Sequence, residues 1–198
     1  MLSLLVEVDN MIRYAKKSDA VAIAPLVLVI LEDMELPFVK KYGAKKTLAL
    51  LEESVAIGDY RYGYKRALVK EVDGKVAGVA YGYPASAEKT IDEPLIPLLE
   101  KFDIPKDTRL FTDPETIEPE WYLDSISVSK EFRGQGIGGE LLAALPQIAK
   151  RDGESVIGLS VDEQNPGAKR LYERNGFKTV AKTMIAGHQY EHMQKPIA

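Results

Sequence analysis

Apolar residues at Leu141, Leu142, Leu145 and Ile148 recur at helical spacing along Ile137 to Arg151 and predict an amphipathic helix. Val21 to Leu31 is a nearly unbroken apolar run with Pro25 inside it, ending at Glu32-Asp33. It predicts a buried helix reaching about Glu35, with Ser18 and Asp19 as caps. It falls short of the roughly 20 apolar residues of a membrane span. Pro37 to about Ile57 reads as a second helical stretch, interrupted near Gly43. Pro166 to Asn175 has proline in its first turn and Gly176 just past its end, the asymmetry of a short helix. Strands are expected at Ile12–Ala15, Lys65–Val72, Lys75–Tyr83, Trp121–Val128, Ser155–Val161, Val180–Ile185 and Gln189–Ile197. Asp73-Gly74 marks a hairpin turn between the second and third. The order is β-α-α-β-β-β-α-β-α-β-β, a mixed α/β chain of the α+β type.

A chain of 198 residues fits one domain. Met11 offers a second start, so residues 1–10 read as an extension before a single domain over 11–198. The first ten residues lack a basic n-region and acids interrupt their short apolar run, which argues against a signal peptide and for a cytoplasmic chain. Residues 86–120 stand apart, with ten acidic against four basic residues and five prolines. They are an acidic, proline-rich insertion with one short helix expected at about Pro94 to Lys101. So long a connection is functional or unstructured, and its composition suggests a solvated surface excursion more than a substrate lid.

The chain carries 26 basic and 30 acidic residues, a net charge of −4. No dense basic face outweighs the acids, which argues against a nucleic-acid-binding protein. There is no cysteine, so disulfides, thiolate metal sites and a cysteine nucleophile are excluded. His188 and His192 have metal-pair spacing only on a helix; on a strand, four residues span roughly 13 Å, too far for one ion. No metal site is expected.

The run Arg133-Gly134-Gln135-Gly136-Ile137-Gly138-Gly139 lies between a strand and a helix. Glycine lets a backbone approach a ligand closely, and free N–H groups at a helix start favour an anion. Arg133 adds a forked cationic donor. Two phosphate ligands fit. Gly134-x-Gly136-x-x-Gly139 with Asp162 beyond it is the dinucleotide spacing, which would make the chain a nucleotide-dependent oxidoreductase. Fewer than sixty residues follow Gly139, too few to complete a doubly wound sheet, and a hairpin precedes it.

The other reading is Arg133-x-x-Gly136-x-Gly138 after the apolar strand Tyr122 to Val128. Together with Asn165, Ala168, Leu171-Tyr172 and Gly176-Phe177, it resembles the two signatures of the GNAT superfamily of N-acetyltransferases. The resemblance runs from about Met11 to Pro196 and is weakest over 86–120. It implies a mixed, mostly antiparallel central sheet flanked by helices. It implies acetyl-CoA as cosubstrate, its pantetheine arm along Ile126, Ser127 and Val128, and its pyrophosphate on Arg133, Gly134, Gln135, Gly136, Ile137 and Gly138. Asn165 and Tyr172 would flank the thioester, with Tyr172 protonating the departing thiolate. The acetyl group would pass directly to a primary amine on a small molecule or peptide. A backbone N–H near Val128 is a candidate oxyanion donor.

Several roles stay open at this level. Asn165 also suits a helix N-cap, and Tyr172 shares a helix face with Ala168 and Leu171, which suits a core position. Lys169, Arg170, Arg174 and Lys178 are candidates for the 3′-phosphate of CoA. Asp124, Glu120 and Glu118 lie on or near the strand where a base is wanted, without one standing out. Pro146 should bend the helix that holds it. Tyr60, Tyr62 and Tyr64 could line an acceptor pocket, but their alternation reads first as that of strand residues. The acidic insertion suggests a cationic acceptor. A CoA-binding regulatory module without turnover is the alternative on the same fold. A homodimer is compatible with the sequence, and neither a membrane nor a nucleic-acid partner is expected.

Overall fold

A computed structural model describes residues 10–197; the proposed extension over 1–10 lies almost wholly outside them. Seven strands form one sheet in the order β1-β2-β3-β4-β5-β7-β6. They are β1 (Met11–Tyr14), β2 (Ala67–Val72), β3 (Lys75–Pro84), β4 (Trp121–Val128), β5 (Val156–Asp162), β6 (Lys178–Ile185) and β7 (His188–Pro196). Every neighbouring pair is antiparallel except β4 and β5. A doubly wound parallel sheet is thereby ruled out, and the dinucleotide reading of the glycine run with it.

The sheet divides two cores by simple strand alternation. Val69, Val79 and Tyr81 face a core completed by α1 (Ala20–Asp33), α2 (Pro37–Tyr42), α3 (Ala44–Ser54) and α4 (Ile96–Lys101). Leu68, Ala80 and Leu123 face the opposite core under α5 (Ile137–Arg151) and α6 (Pro166–Arg174). The expected Val21–Leu31 helix forms, but only Ile23, Ala24, Val27 and Leu31 are buried; Val21 is exposed. Asp19 does not cap it through its side chain. That carboxylate binds Arg13 at 2.8 and 3.0 Å instead. Helix α5 runs unbroken through Pro146. Tyr60 and Tyr62 lie in a turn before β2 and not in a strand, both fully buried, while Tyr64 opens a 3-10 turn. The loop between α3 and this 3-10 turn, residues 55–63, is a series of tight turns and not the extended chain that their alternation suggested.

The expected short helix over 94–101 is present as a 3-10 turn, Glu93–Leu95, running into α4. The 86–120 segment is not a solvated excursion. Leu95, Leu98 and Leu99 fall on one helical face and join the α1–α3 core, followed by Ile104 and Leu110. Most of its acids face solvent from a backbone fastened by buried leucines, but Glu115 and Glu120 are buried. Among the described residues no helix is long and apolar enough to cross a membrane.

Candidate active site

The site begins where two parallel strands part. β4 and β5 pair only from Trp121–Ile157 to Leu123–Leu159. Past that point β4 continues along β3 and β5 along β7. A register shift in β3 at Tyr81/Gly82 lies opposite the point of parting, and such irregularities bend a strand. The edge of β4 from Asp124 to Val128 is left without a ladder partner on the β5 side. Peptide groups there must find another partner, and an extended polar chain fits between the strands.

At the end of β4 the chain turns through a 3-10 turn, Lys130–Phe132, into the glycine run. Gly134 and Gly136 have φ of +77° and +83°, a conformation that strains most side chains. A Cβ at either position, or at Gly139, would meet nothing within 4 Å, so the turn faces open space. Gly136 is the N-cap of α5 and supplies no side-chain cap. The first N–H groups of a fifteen-residue helix are therefore free for an anion. Arg133 is exposed and its Nε donates to Val128 O at 3.3 Å, folding the guanidinium over the end of β4. Gln135 is exposed, and Gly138 is partly so. Ile137 is buried beneath Gly78, so only its backbone can serve a ligand.

The parted strands open into a cavity of about 570 Å³. Of the sequence-predicted residues, Ile126, Asn165 and Tyr172 line it together. Ser127, Val128 and the 133–138 turn lie outside this cavity, along the same β4 edge. Asn165 caps α6, accepting from Ala168 N–H at 3.0 Å, while remaining exposed. Tyr172 is 9% exposed and rests edge-on against Phe177. Its side of the helix is thus both core and cavity wall. Burial pushes its phenol up to about 12.

Of the four cations considered for a 3′-phosphate, Lys169 is engaged by Glu191 at 2.8 Å. Arg170, Arg174 and Lys178 are exposed and form no ion pair among the described residues. The carboxylates near β4 also sort by partner. Glu120 is fully buried and accepts from Ile117 N–H and Gln194 Nε2, each at 2.8 Å, with His192 Nε2 at 2.9 Å. Asp124 is buried against Arg61 at 2.5 Å. Arg61 in turn binds Asp92 through two nitrogens and Tyr83 through a third contact. Neither Glu120 nor Asp124 is free to act as a base, and Glu118 does not line the cavity.

Sequence reasoning passed over Glu115. It lies in the 86–120 segment yet lines the cavity with Tyr172 and Asn165. Tyr122 Oη donates to its Oε2 at 2.8 Å, and its Oε1 has no partner. Burial, together with the charge of Asp124, pushes this carboxyl up to about 7 despite the opposing pull of Arg61 and Tyr122. In the sequence it is one of ten acids in an acidic stretch, and no local signal separates it from the others.

Residues 30–177 match the family model described as the acetyltransferase (GNAT) family. The chain belongs to the GNAT family. This GNAT chain is 53% identical to an acetyltransferase of known crystal structure, over 95% of this chain and 100% of the other, with a TM-score of 0.87. It is 30% identical to an N-acetyltransferase from Staphylococcus aureus Mu50, covering 93% and 100%, with a TM-score of 0.81. An acetyltransferase from Salmonella typhimurium, solved with its cofactor acetyl-CoA, shares the fold at 21% identity and a TM-score of 0.60, over 96% of this chain and 95% of its own. An acetyltransferase from Agrobacterium fabrum is 39% identical over 59 residues, 30% of this chain. The matched stretch spans from 20% to 44% of the curated relatives' length.

Proposed function

We propose that the protein is an acetyl-CoA-dependent N-acetyltransferase that passes the acetyl group directly to a primary amine. The observation that carries this reading is the continuous surface formed by the unpaired edge of β4 and the uncapped start of α5. A molecule that combines an amide-bearing arm with a pyrophosphate matches both. The Salmonella protein of the same fold binds acetyl-CoA, which supports the assignment. Ile126, Ser127 and Val128 would pair with the pantetheine arm, and Arg133 to Gly138 would hold the pyrophosphate. Asn165 would border the thioester end.

Acetyl-CoA supplies an activated acyl group, and the chain's work is to orient it, stabilise the oxyanion and manage two protons. Tyr172 sits at the cavity wall with a phenol that keeps its proton at neutral pH. It is the candidate donor to the departing thiolate. The cavity is lined by Asp33, Glu35, Glu115, Asp124 and Asp162 and by no lysine or arginine. That supports a cationic acceptor, as the sequence suggested, although only Glu115 of these acids comes from the 86–120 segment.

Calorimetric titration with acetyl-CoA, with NADH as the control, tests the donor site. Saturable binding of acetyl-CoA alone is expected. Gly136→Val forces a β-branched residue to φ +83° at a position clear of the core. Strain of about 1–3 kcal/mol in the turn should weaken binding about 5- to 150-fold. Binding of NADH but not acetyl-CoA would overturn the reading.

A further inference from the structure

We propose that Glu115 receives the acceptor: its carboxylate holds the acceptor's ammonium group and takes the proton that the nitrogen must lose before attack. The inference rests on the acetyltransferase reading and assigns the base that the sequence left open.

Glu115 is 7% exposed and lines the cavity shared by Tyr172 and Asn165. Among the described residues, its Oε1 is the one buried carboxylate oxygen without a hydrogen-bond donor. An unpaired buried acceptor costs free energy until a donor arrives. An ammonium group entering the cavity supplies that donor. The position of Glu115 is built, not incidental. Glu88 accepts from the backbone N–H of Glu115 at 2.7 Å and from both N–H and hydroxyl of Thr116. Asp113 accepts from Ala186 N–H at 2.9 Å, fastening the same loop to the β6–β7 turn. Tyr122 fixes one carboxylate oxygen, and the other is buried without a donor, so an ammonium reaches it by a small turn of the carboxylate toward the cavity that Glu115 lines. The remaining buried acids among the described residues are occupied: Glu120 by His192 and Gln194, Asp124 by Arg61, Asp19 by Arg13.

The step balances without another reactant. The ammonium proton passes to a Glu115 oxygen. The freed nitrogen pair attacks the thioester carbonyl carbon, a C–N bond forms and the C–S bond breaks. The thiolate takes the Tyr172 phenol proton, and the second proton lost by the acylated nitrogen restores that phenol. The products are the N-acetyl amine, CoA and one proton, which Glu115 carries and then yields to water. A base that titrates near neutrality suits this exchange. The charged and titratable groups facing Glu115 are Glu88, Arg61, Asp124, Tyr83, Tyr122 and Tyr190.

The test compares wild type, Glu115→Gln and Tyr122→Phe. Acetyl-CoA binding is measured first, then CoA release with cadaverine, spermidine, benzylamine and glycinamide, using the fastest for pH profiles. Glu115→Gln should bind acetyl-CoA as wild type does and lose about 10²-fold in kcat/KM near neutral pH. The deficit should shrink toward about pH 10, where the amine arrives already neutral. Wild-type kcat/KM should rise as pH passes through the Glu115 titration. Tyr122→Phe, lacking the bond that favours the ionised form, should move that rise to higher pH. A difference-infrared titration of wild type against Glu115→Gln should show one buried carboxyl ionising near neutrality, independent of turnover. Activity of Glu115→Gln within about threefold of wild type, or a loss equal at every pH with a lowered melting temperature, would overturn the assignment alone. Wild type that binds acetyl-CoA but acetylates none of the four amines would overturn the catalytic reading as well.

Discussion

Single positions in this protein take their chemistry from what surrounds them. Tyr172 and Glu115 line one cavity, and burial raises both, to about 12 and about 7. The sign of each shift fits a distinct task. A phenol raised above its ordinary value keeps its proton through neutral pH and remains available as a donor. A carboxyl raised to neutrality can accept one and still give it up. Tyr172→Phe should therefore lower kcat by about 10²-fold or more while acetyl-CoA binding changes little, read by steady-state kinetics beside calorimetry. Because Tyr172 titrates so high, wild-type kcat should show no alkaline loss from this group at any pH below about 10. Tyr172 was legible through its neighbours Asn165, Ala168 and Gly176-Phe177. Glu115 was not, since its burial comes from β4 and the Glu88 clamp, neither of which is adjacent in sequence.

At the scale of elements, the decisive feature is the short pairing of β4 with β5. Gly158 lies in the paired stretch, opposite Tyr122. A Cβ there would come within 1.9 Å of a Glu120 carboxylate oxygen. The glycine is required because the buried Glu120–His192 pair fills the space over that strand. Gly158→Ala should destabilise the fold by about 1–3 kcal/mol, as overpacking against a buried group does, and thermal unfolding would measure it. A change under a few tenths would show that Glu120 can move aside. The helix over 137–151 and the strand over 121–128 were legible to the residue, because their periodicity is strong and Gly136 and Pro119 flank them. The turn at Tyr60 and Tyr62 was misread, since alternating tyrosines suit a strand locally while the chain between α3 and β2 closes a corner over the core.

Across the whole molecule, Arg61 ties three distant parts together. It is 3% exposed and binds Asp92 of the 86–120 segment, Asp124 of β4 and Tyr83 of β3. Burial opposes its charge, but these acceptors outweigh that and hold it ionised. Arg61→Ala would leave two acids unpaired around an emptied site. A loss of about 3–5 kcal/mol is expected in urea denaturation, and the loop carrying Glu115 should loosen with it. Stability unchanged to within about 1 kcal/mol would mean that water replaces the guanidinium at no cost. The 86–120 segment is thereby part of the domain's core and of the site's wall, with its leucines in one and Glu115 in the other.

The element order, the glycine turn before α5 and the Asn165–Phe177 stretch could be read from the chain before folding, because each is written in residues a few positions apart. Local spacing decides helix periodicity, left-handed glycines and caps. Where β4 and β5 part, which acids are paired, and that Glu115 Oε1 is left as the buried carboxylate oxygen without a donor among the described residues are settled only by the folded chain. Those depend on contacts between residues far apart in the chain: Glu115 with Tyr122 and Glu88, Glu120 with His192, Arg61 with Asp92 and Asp124. Burial sets both the cost of a charge and its proton affinity, and burial belongs to the folded molecule.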